Sequence, residues 1–330
     1  MKVTIIIPVY NVSAYIERCI KSVMNQTYQD IECILVNDAT PDDSIAIAER
    51  LVADYKGPVQ FKIFNHEHNR GQSAARNTGI KAASGDYLYF LDSDDEITPD
   101  CIEKLSHPIL NDPTIEMVEG CYAQISKDSH NNVIERPFSK PQLELTTPKA
   151  VKDYFFSKQY ENIFCWNKLV NRTFVIKNQL FFKEGLWGED FIWLFHYNRY
   201  LSHLYIIPDI TYKYKFHIRP DSVSSKPGTK YRAYYGLIYA EIAKNLSPED
   251  SVREIKYILK SFCLFYVDGP TPPIYKQVAC IFLNALKDKH SVKEWVFLKS
   301  IVILSKFSLA RKAITKVGEL LKRNFRGKKR

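Results

Sequence analysis

Tyr87 to Glu96 reads YLYFLDSDDE: a run of aromatic and aliphatic residues ends in four carboxylates within five positions. The apolar half is short, rich in β-formers and preceded by the turn residues Ser84, Gly85 and Asp86, which predicts a buried strand. Asp92, Ser93, Asp94 and Asp95 then fall at a strand's carboxyl end, the edge where open α/β sheets bind ligands. Carboxylates this close repel one another, so they take up protons, splay into water or share a cation. An all-oxygen donor set suits Mg²⁺ or Mn²⁺. A solvated turn capping a helix from Pro99 to Leu105 is the plainer alternative.

Three further stretches carry polar groups with chemical potential. Asp38 follows an apolar run and, as an acceptor-only carboxylate, could take a hydrogen bond from a planar N–H donor such as a pyrimidine ring; an Asx turn before Asp43 is the competing reading. In NRGQSAARNTGI (69 to 80), Gly71 permits close backbone approach, Ser73 can cap a helix, and Arg76 with the free N–H groups favours a phosphate. Arg76 could equally pair with a carboxylate at the sheet edge. Gly188, Glu189 and Asp190 open an aromatic-rich helix, placing Asp190 in a first turn, where a helix N-terminus favours negative charge. It is a candidate base or a simple cap.

The elements that must position these groups alternate regularly. Strands are expected at Val3 to Val9, Ile31 to Val36, Val59 to Phe64 and Tyr87 to Leu91. Between them lie helices at Ser13 to Met24, Asp43 to Tyr55 and Ser73 to Ala83. Such alternation implies βαβ units and a mainly parallel sheet. Apolar stretches such as Ile5, Ile6 and Ile7 imply cover on both faces. Residues 106 to 160 are less regular, with a strand expected around Ile115 to Ile125 and a polar loop from Lys127 to Pro148. Four helical patterns follow residue 228, near 229 to 244, 249 to 266, 273 to 287 and 291 to 307.

Composition narrows the class. With 330 residues, 45% hydrophobic, the chain is globular and large enough for two domains. The net charge of +9 is localised: residues 311 to 330 carry nine basic side chains against Glu319 alone. The body is nearly balanced, so a broad nucleic-acid-binding face is not expected. Seven scattered cysteines without a CxxC pair read as reduced thiols, and neither a signal peptide nor a membrane span is recognisable, which points to a cytoplasmic body. The apolar pattern Val292 to Leu309 followed by the basic block suits an anionic membrane surface; a core helix with a solvated end is the other reading. No GxGxxG follows the first strand and no GxxxxGK[ST] occurs, so neither a dinucleotide fold nor a P-loop is indicated.

Taken together, PVYN at 8 to 11, VNDATPDDS at 36 to 44, NRGQSAARNTGI, FLDSDD, WNKL and GED resemble the family 2 glycosyltransferases, over roughly residues 2 to 220. The resemblance implies an α/β GT-A (nucleotide-diphospho-sugar transferase) fold, with a mainly parallel central sheet flanked by helices and a C-terminal helical extension. The division would be 1–225, with a nucleotide-binding half (1–105) and an acceptor-binding half (106–225), then a helical region with basic tail (226–330). It implies an inverting transfer from a nucleotide-diphosphate donor, a UDP-sugar, to a glycan or lipid-linked acceptor, with Asp190 as base. Donor-binding residues would be Pro8, Tyr10, Asn11, Asp38 on the uracil, Asn69, Arg76, Asp92 on the ribose, Ser93, Asp95, His217 and Arg219. Asp94 would hold Mg²⁺ or Mn²⁺, and Trp166, Trp187 and Glu189 would meet the acceptor. Asn37 and Ala39 depart from the family's frequent Asp and Gly. Competing readings are a non-catalytic nucleotide-sugar-binding subunit of a glycan-assembly complex and a sugar-nucleotide pyrophosphorylase. The latter would want a Gly-rich basic loop where this chain has PVYN.

Overall fold

A computed structural model describes residues 1–127, 132–155, 164–186, 188–216, 238, 241 and 242. The chain falls into two units, Met1–Gly185 with Glu189–Lys226, and Leu186–Gly188 with Pro227–Arg330. Nearly all described residues belong to the first. Residues 217 to 237, the boundary near 225 and the basic tail lie outside the described residues, as do His217, Arg219 and Trp187.

The amino-terminal half is a parallel sheet wound by helices. Strands β1 (Val3–Val9), β2 (Ile31–Asn37), β3 (Gln60–Asn65) and β4 (Tyr87–Phe90) alternate with helices α1 (Ile16–Met24), α2 (Ser44–Asp54) and α3 (Gln72–Ala82). β1 pairs in parallel with both β2 and β4, and β2 with β3. All seven residues of β1 are buried, as both-face cover requires. α1 buries Ile16, Cys19, Ile20 and Val23, the 3–4 spacing of one helix face. β3, at the sheet edge, is mostly exposed.

The second half turns the sheet mixed. It comprises β5 (Glu96–Ile97), α4 (Cys101–Asn111), β6 (Met117–Lys127), β7 (Val133–Phe138), β8 (Leu143–Leu145), α5 (Pro148–Phe155), β9 (Lys168–Asn171), α6 (Arg172–Lys177), α7 (Glu189–Tyr200) and β10 (Leu204–Lys215). The strand order is β3-β2-β1-β4-β9-β6-β10-β5, with β7 on β6 and β8 on β10. β9 runs antiparallel to β4 and β6, so β6 and its parallel neighbour β10 point the same way as β1 to β4. Their carboxyl ends share one edge.

Several boundaries move from their expected places for local reasons. The first helix begins at Ile16 rather than Ser13, and the N–H groups that precede it are taken by the β2–α2 loop. Asn11 donates to Thr40 Oγ1 (2.8 Å), Val12 to Ser44 Oγ (2.9 Å) and Ser13 to Asp42 Oδ2 (2.8 Å). Although burial opposes it, hydrogen bonds from Ser44, Thr40 and Ser13 hold the Asp42 carboxyl well below the usual range. α4 runs past Leu105 to Asn111 and contains Pro108, whose buried ring and Ile109 continue the packed face. The expected loop from 127 to 148 contains two strands. β7 lies against β6 from Tyr122↔Phe138 to Lys127↔Val133, with Tyr122 stacked on Phe138 at 4.8 Å.

Candidate active site

The ends of β1, β2, β3 and β4 bring the expected residues to one edge. Pro8 is buried in β1, whereas Tyr10 is 44% exposed beyond it. Asn11 and Ala39 take left-handed backbone, φ 52° and 54°. Asn tolerates that conformation; for Ala39 it costs on the order of 1 kcal/mol, and it explains why glycine suits this position.

Asp38 is buried and its carboxylate fastens the loop between β3 and α3. Oδ1 accepts from Arg70 N–H (2.9 Å) and pairs with His66 Nδ1 (2.7 Å), while Oδ2 accepts from Gly71 N–H (2.7 Å). The other ring nitrogen, His66 Nε2, is hydrogen-bonded to Thr78 Oγ1 (2.9 Å). Gly71, at φ 88°, turns the chain so that both N–H groups face Asp38. Asn69 lies exposed on the same loop. His66 was not singled out in the sequence, where one histidine in a polar loop has no distinguishing pattern.

Arg76 is the centre of the site. It is 1% exposed, and of its two expected partners the structure shows the carboxylates. Nη2 donates to Asp92 Oδ1 (2.8 Å), and Nη1 to Glu189 Oε1 (2.7 Å) and Asp190 Oδ1 (3.0 Å). The guanidinium also lies over the Phe182 ring, 5.1 Å from its centroid. The adjacent Asn77 exchanges hydrogen bonds with the backbone of Phe182, and Phe182 stacks on Trp193 of α7. The ARN triplet thus joins α3 to the start of α7. Gln72 adds a bond to Asp92 Oδ1 (3.0 Å).

One cation faces three carboxylates, with Asp94 in the same turn. Burial, with Asp190 and Asp94 adding, pushes the Asp92 carboxyl up to about 6 against the pull of Arg76. Burial, then Asp190, pushes Glu189 up to about 7. Both lie above the ordinary values near 4 that an unfolded chain retains. The stability these groups contribute is therefore full below about pH 4 and is lost as pH rises through about 6 and 7. Without divalent ions the melting midpoint should fall between about pH 5 and pH 8, and Glu189→Gln should flatten that fall. Identical flat profiles for both proteins would reject this account.

The remaining acidic residue turns inward. Asp95 is buried, and Oδ2 accepts from Tyr212 Oη (2.7 Å) while Oδ1 accepts from Lys215 N–H (2.7 Å). Burial first, then Asp94 and Asp92, raises its carboxyl well above the usual range. Ser93 is also buried. Trp166 is 1% exposed, stacked on Phe164 at 4.7 Å and on Tyr212 at 4.4 Å, so its indole lies in the interior. Glu189 is held by Arg76.

The donor set of the acidic turn, oxygen ligands with excess negative charge, fits a hard divalent cation. Among the described residues, the group of three or more His, Cys, Asp or Glu side chains whose ligand atoms converge within 4.8 Å of one another is not this turn but Asp112, Glu144 and His203. His203 precedes β10 and Asp112 follows α4, which places this group at the amino edge of the sheet, away from Asp94. It was not anticipated, since its members are far apart in sequence.

The family profile "Glycosyl transferase family 2" matches residues 4–173, and the chain belongs to that family, with GT-A architecture. It is 37% identical over 195 residues to the uncharacterized glycosyltransferase EpsJ of Bacillus subtilis (strain 168), covering 57% of this chain and 53% of that protein. It is 27% identical over 267 residues to the GalNAc(5)-diNAcBac-PP-undecaprenol beta-1,3-glucosyltransferase of Campylobacter jejuni, covering 80% of each. EpsJ and two other such relatives are matched over 53% to 68% of their own length. The crystal structure of S. aureus TarS 1-349 in complex with UDP-GlcNAc superposes with a TM-score of 0.63 at 20% identity, covering 86% of this chain and 81% of that one, a likeness of fold.

Proposed function

We propose that the protein is an inverting glycosyltransferase that moves a sugar from a UDP-sugar to a hydroxyl of a glycan or lipid-linked acceptor. The observation that carries this reading is Arg76 joining Asp92 of the acidic turn to Asp190 at the start of α7. That arrangement holds a candidate donor-binding carboxylate and a candidate base within reach of one guanidinium. Tyr10 offers an exposed ring for a nucleobase just past β1, and the buried Asp38 carboxylate, held by His66 and two N–H groups, fixes the loop that follows β3 at the same edge.

In the reaction, Asp190 takes the proton of the acceptor hydroxyl as its oxygen attacks the anomeric carbon, and the bond to the diphosphate breaks on the opposite face. General-base help of this kind is worth about 10²- to 10⁴-fold. Arg76 fixes the carboxylate's orientation through Nη1. Mg²⁺ or Mn²⁺, when bound by Asp94, would offset the charge developing on the leaving diphosphate.

Release of UDP from a panel of UDP-sugars with Mn²⁺ tests the reading directly; no turnover with any of them would reject the donor class. Asp94→Ala should weaken UDP binding by at least about tenfold with Mn²⁺ and leave metal-free binding unchanged, as calorimetry would show. Equal affinities for the two proteins in Mn²⁺ would remove Asp94 from the metal.

The acceptor assignment extends to location. Among the described residues no helix is long and apolar enough to cross a membrane. Support for an anionic membrane surface comes from residues 292 to 330 alone, where each basic side chain near the surface adds about 1 kcal/mol. Full-length protein should co-sediment with anionic liposomes and a chain ending at Ser308 should not; equal binding would dismiss the idea.

A further inference from the structure

We propose that Asp95 and Tyr212 are positioning residues of the acidic turn: the hydrogen bonds of Asp95 to β10 set the turn so that Asp92 and Asp94, and not Asp95, meet the donor. The inference rests on the donor site argued above and assigns a role within it that the motif alone does not.

Each Asp95 oxygen is engaged by β10, Oδ2 by the Tyr212 hydroxyl and Oδ1 by Lys215 N–H, both at 2.7 Å. The same hydroxyl faces Asp92 N–H at 3.4 Å, and Asp95 N–H closes the turn on the Asp92 carbonyl (3.0 Å). Tyr212 therefore touches both ends of the Asp92–Asp95 turn. Its own place is set by stacking on Trp166, by its register opposite Ile97 and by Thr98 N–H on the Thr211 carbonyl (2.9 Å). Lys215 Nζ adds an ion pair to Glu96 (2.9 Å), the residue after the turn. The bonds run between residues nearly 120 positions apart, so they tie the acidic turn to the strand that ends at Lys215.

A carboxylate that binds a metal or a sugar needs its charge; one that positions needs only its hydrogen bonds. An amide at 95 can still accept Lys215 N–H through its oxygen and can donate its NH₂ to the Tyr212 oxygen. Four variants, Asp95→Ala, Asp95→Asn, Tyr212→Phe and Asp95→Ala with Tyr212→Phe, separate the two roles by the Kd for UDP in Mn²⁺ and the KM for donor. Asp95→Ala and Tyr212→Phe should each raise Kd and KM about tenfold, with the double variant no worse than Asp95→Ala, because both remove one shared interaction. Asp95→Asn should stay within about threefold of wild type. Tyr212→Phe keeps the stacked ring, and circular dichroism checks that each variant is folded.

The proposal is overturned if Asp95→Asn loses as much affinity as Asp94→Asn, or if Tyr212→Phe changes neither Kd nor KM. Should the wild-type protein bind no UDP, the donor reading fails by itself. The same ranking of variants is then read from the rise in melting temperature caused by Mn²⁺ alone; a ranking that follows charge, or no rise in the wild type, overturns the proposal.

Discussion

Asp190→Asn should bind UDP with Mn²⁺ about as tightly as the wild-type protein and transfer sugar at least about 100-fold more slowly. The amide keeps the size of the carboxylate and can still accept from Arg76 Nη1, so the contact at 3.0 Å survives while the capacity to take a proton does not. The loss belongs in kcat rather than in donor KM, because the group acts on the acceptor hydroxyl as the bond forms. Transfer within a few-fold of wild type would move the base elsewhere, with Glu189 as the neighbouring carboxyl to try.

The second large effect is on stability. Arg76→Ala leaves Asp92, Glu189 and Asp190 without their shared cation in a buried setting, a change of the kind that costs about 3–5 kcal/mol. For a domain of this size that corresponds to a drop of roughly 6–20 °C in Tm. Arg76→Lys should recover little, since a single ammonium cannot reproduce a fork that serves Asp92 through one nitrogen and the α7 carboxylates through the other. Adding Glu189→Gln to Arg76→Ala should restore part of the loss by removing one of the uncompensated charges. A Tm for Arg76→Ala within about 2 °C of wild type would show that the carboxylates relieve one another by protonation instead.

The parallel half of the fold was legible because its strands are unbroken apolar runs closed by turn residues, and burial on both faces leaves few other arrangements for them. The start of α1 was not, because Ser13 looks like a cap and gives no sign that its N–H is committed to Asp42. β7 and β8 escaped notice for a different reason: an exposed edge strand has no buried face, so nothing in VIERPF alternates in the required way. β9 is only four residues long, and its pairing with β4 and β6 is a property of the whole sheet.

In the candidate site, residue types and their proximity in the chain single out Asp38, Asp92, Asp94 and Asp190, whereas partners distant in sequence carry no such signal. For Arg76 the sequence allows a phosphate or a carboxylate, and the carboxylates beside it come from the fold, which sets α7 against α3. His66 and Tyr212 carry no motif, yet each decides which way a motif carboxylate faces. Asp95 shows the limit most plainly: adjacent to Asp94 in the chain, it has its oxygens on the opposite side of the turn's business, against β10.

The β1–α1 and β2–α2 loops are interlocked, with Thr40, Asp42 and Ser44 accepting the N–H groups of residues 11 to 13. These two loops consequently behave as one fastened unit. The donors are backbone N–H groups that any residue but proline supplies, so a graft of the second loop from a relative keeps the fastening only where it brings acceptor side chains at 40, 42 and 44. Efforts to exchange nucleotide preference between members of the family by grafting residues 37 to 44 should hold the acceptors at those three positions fixed.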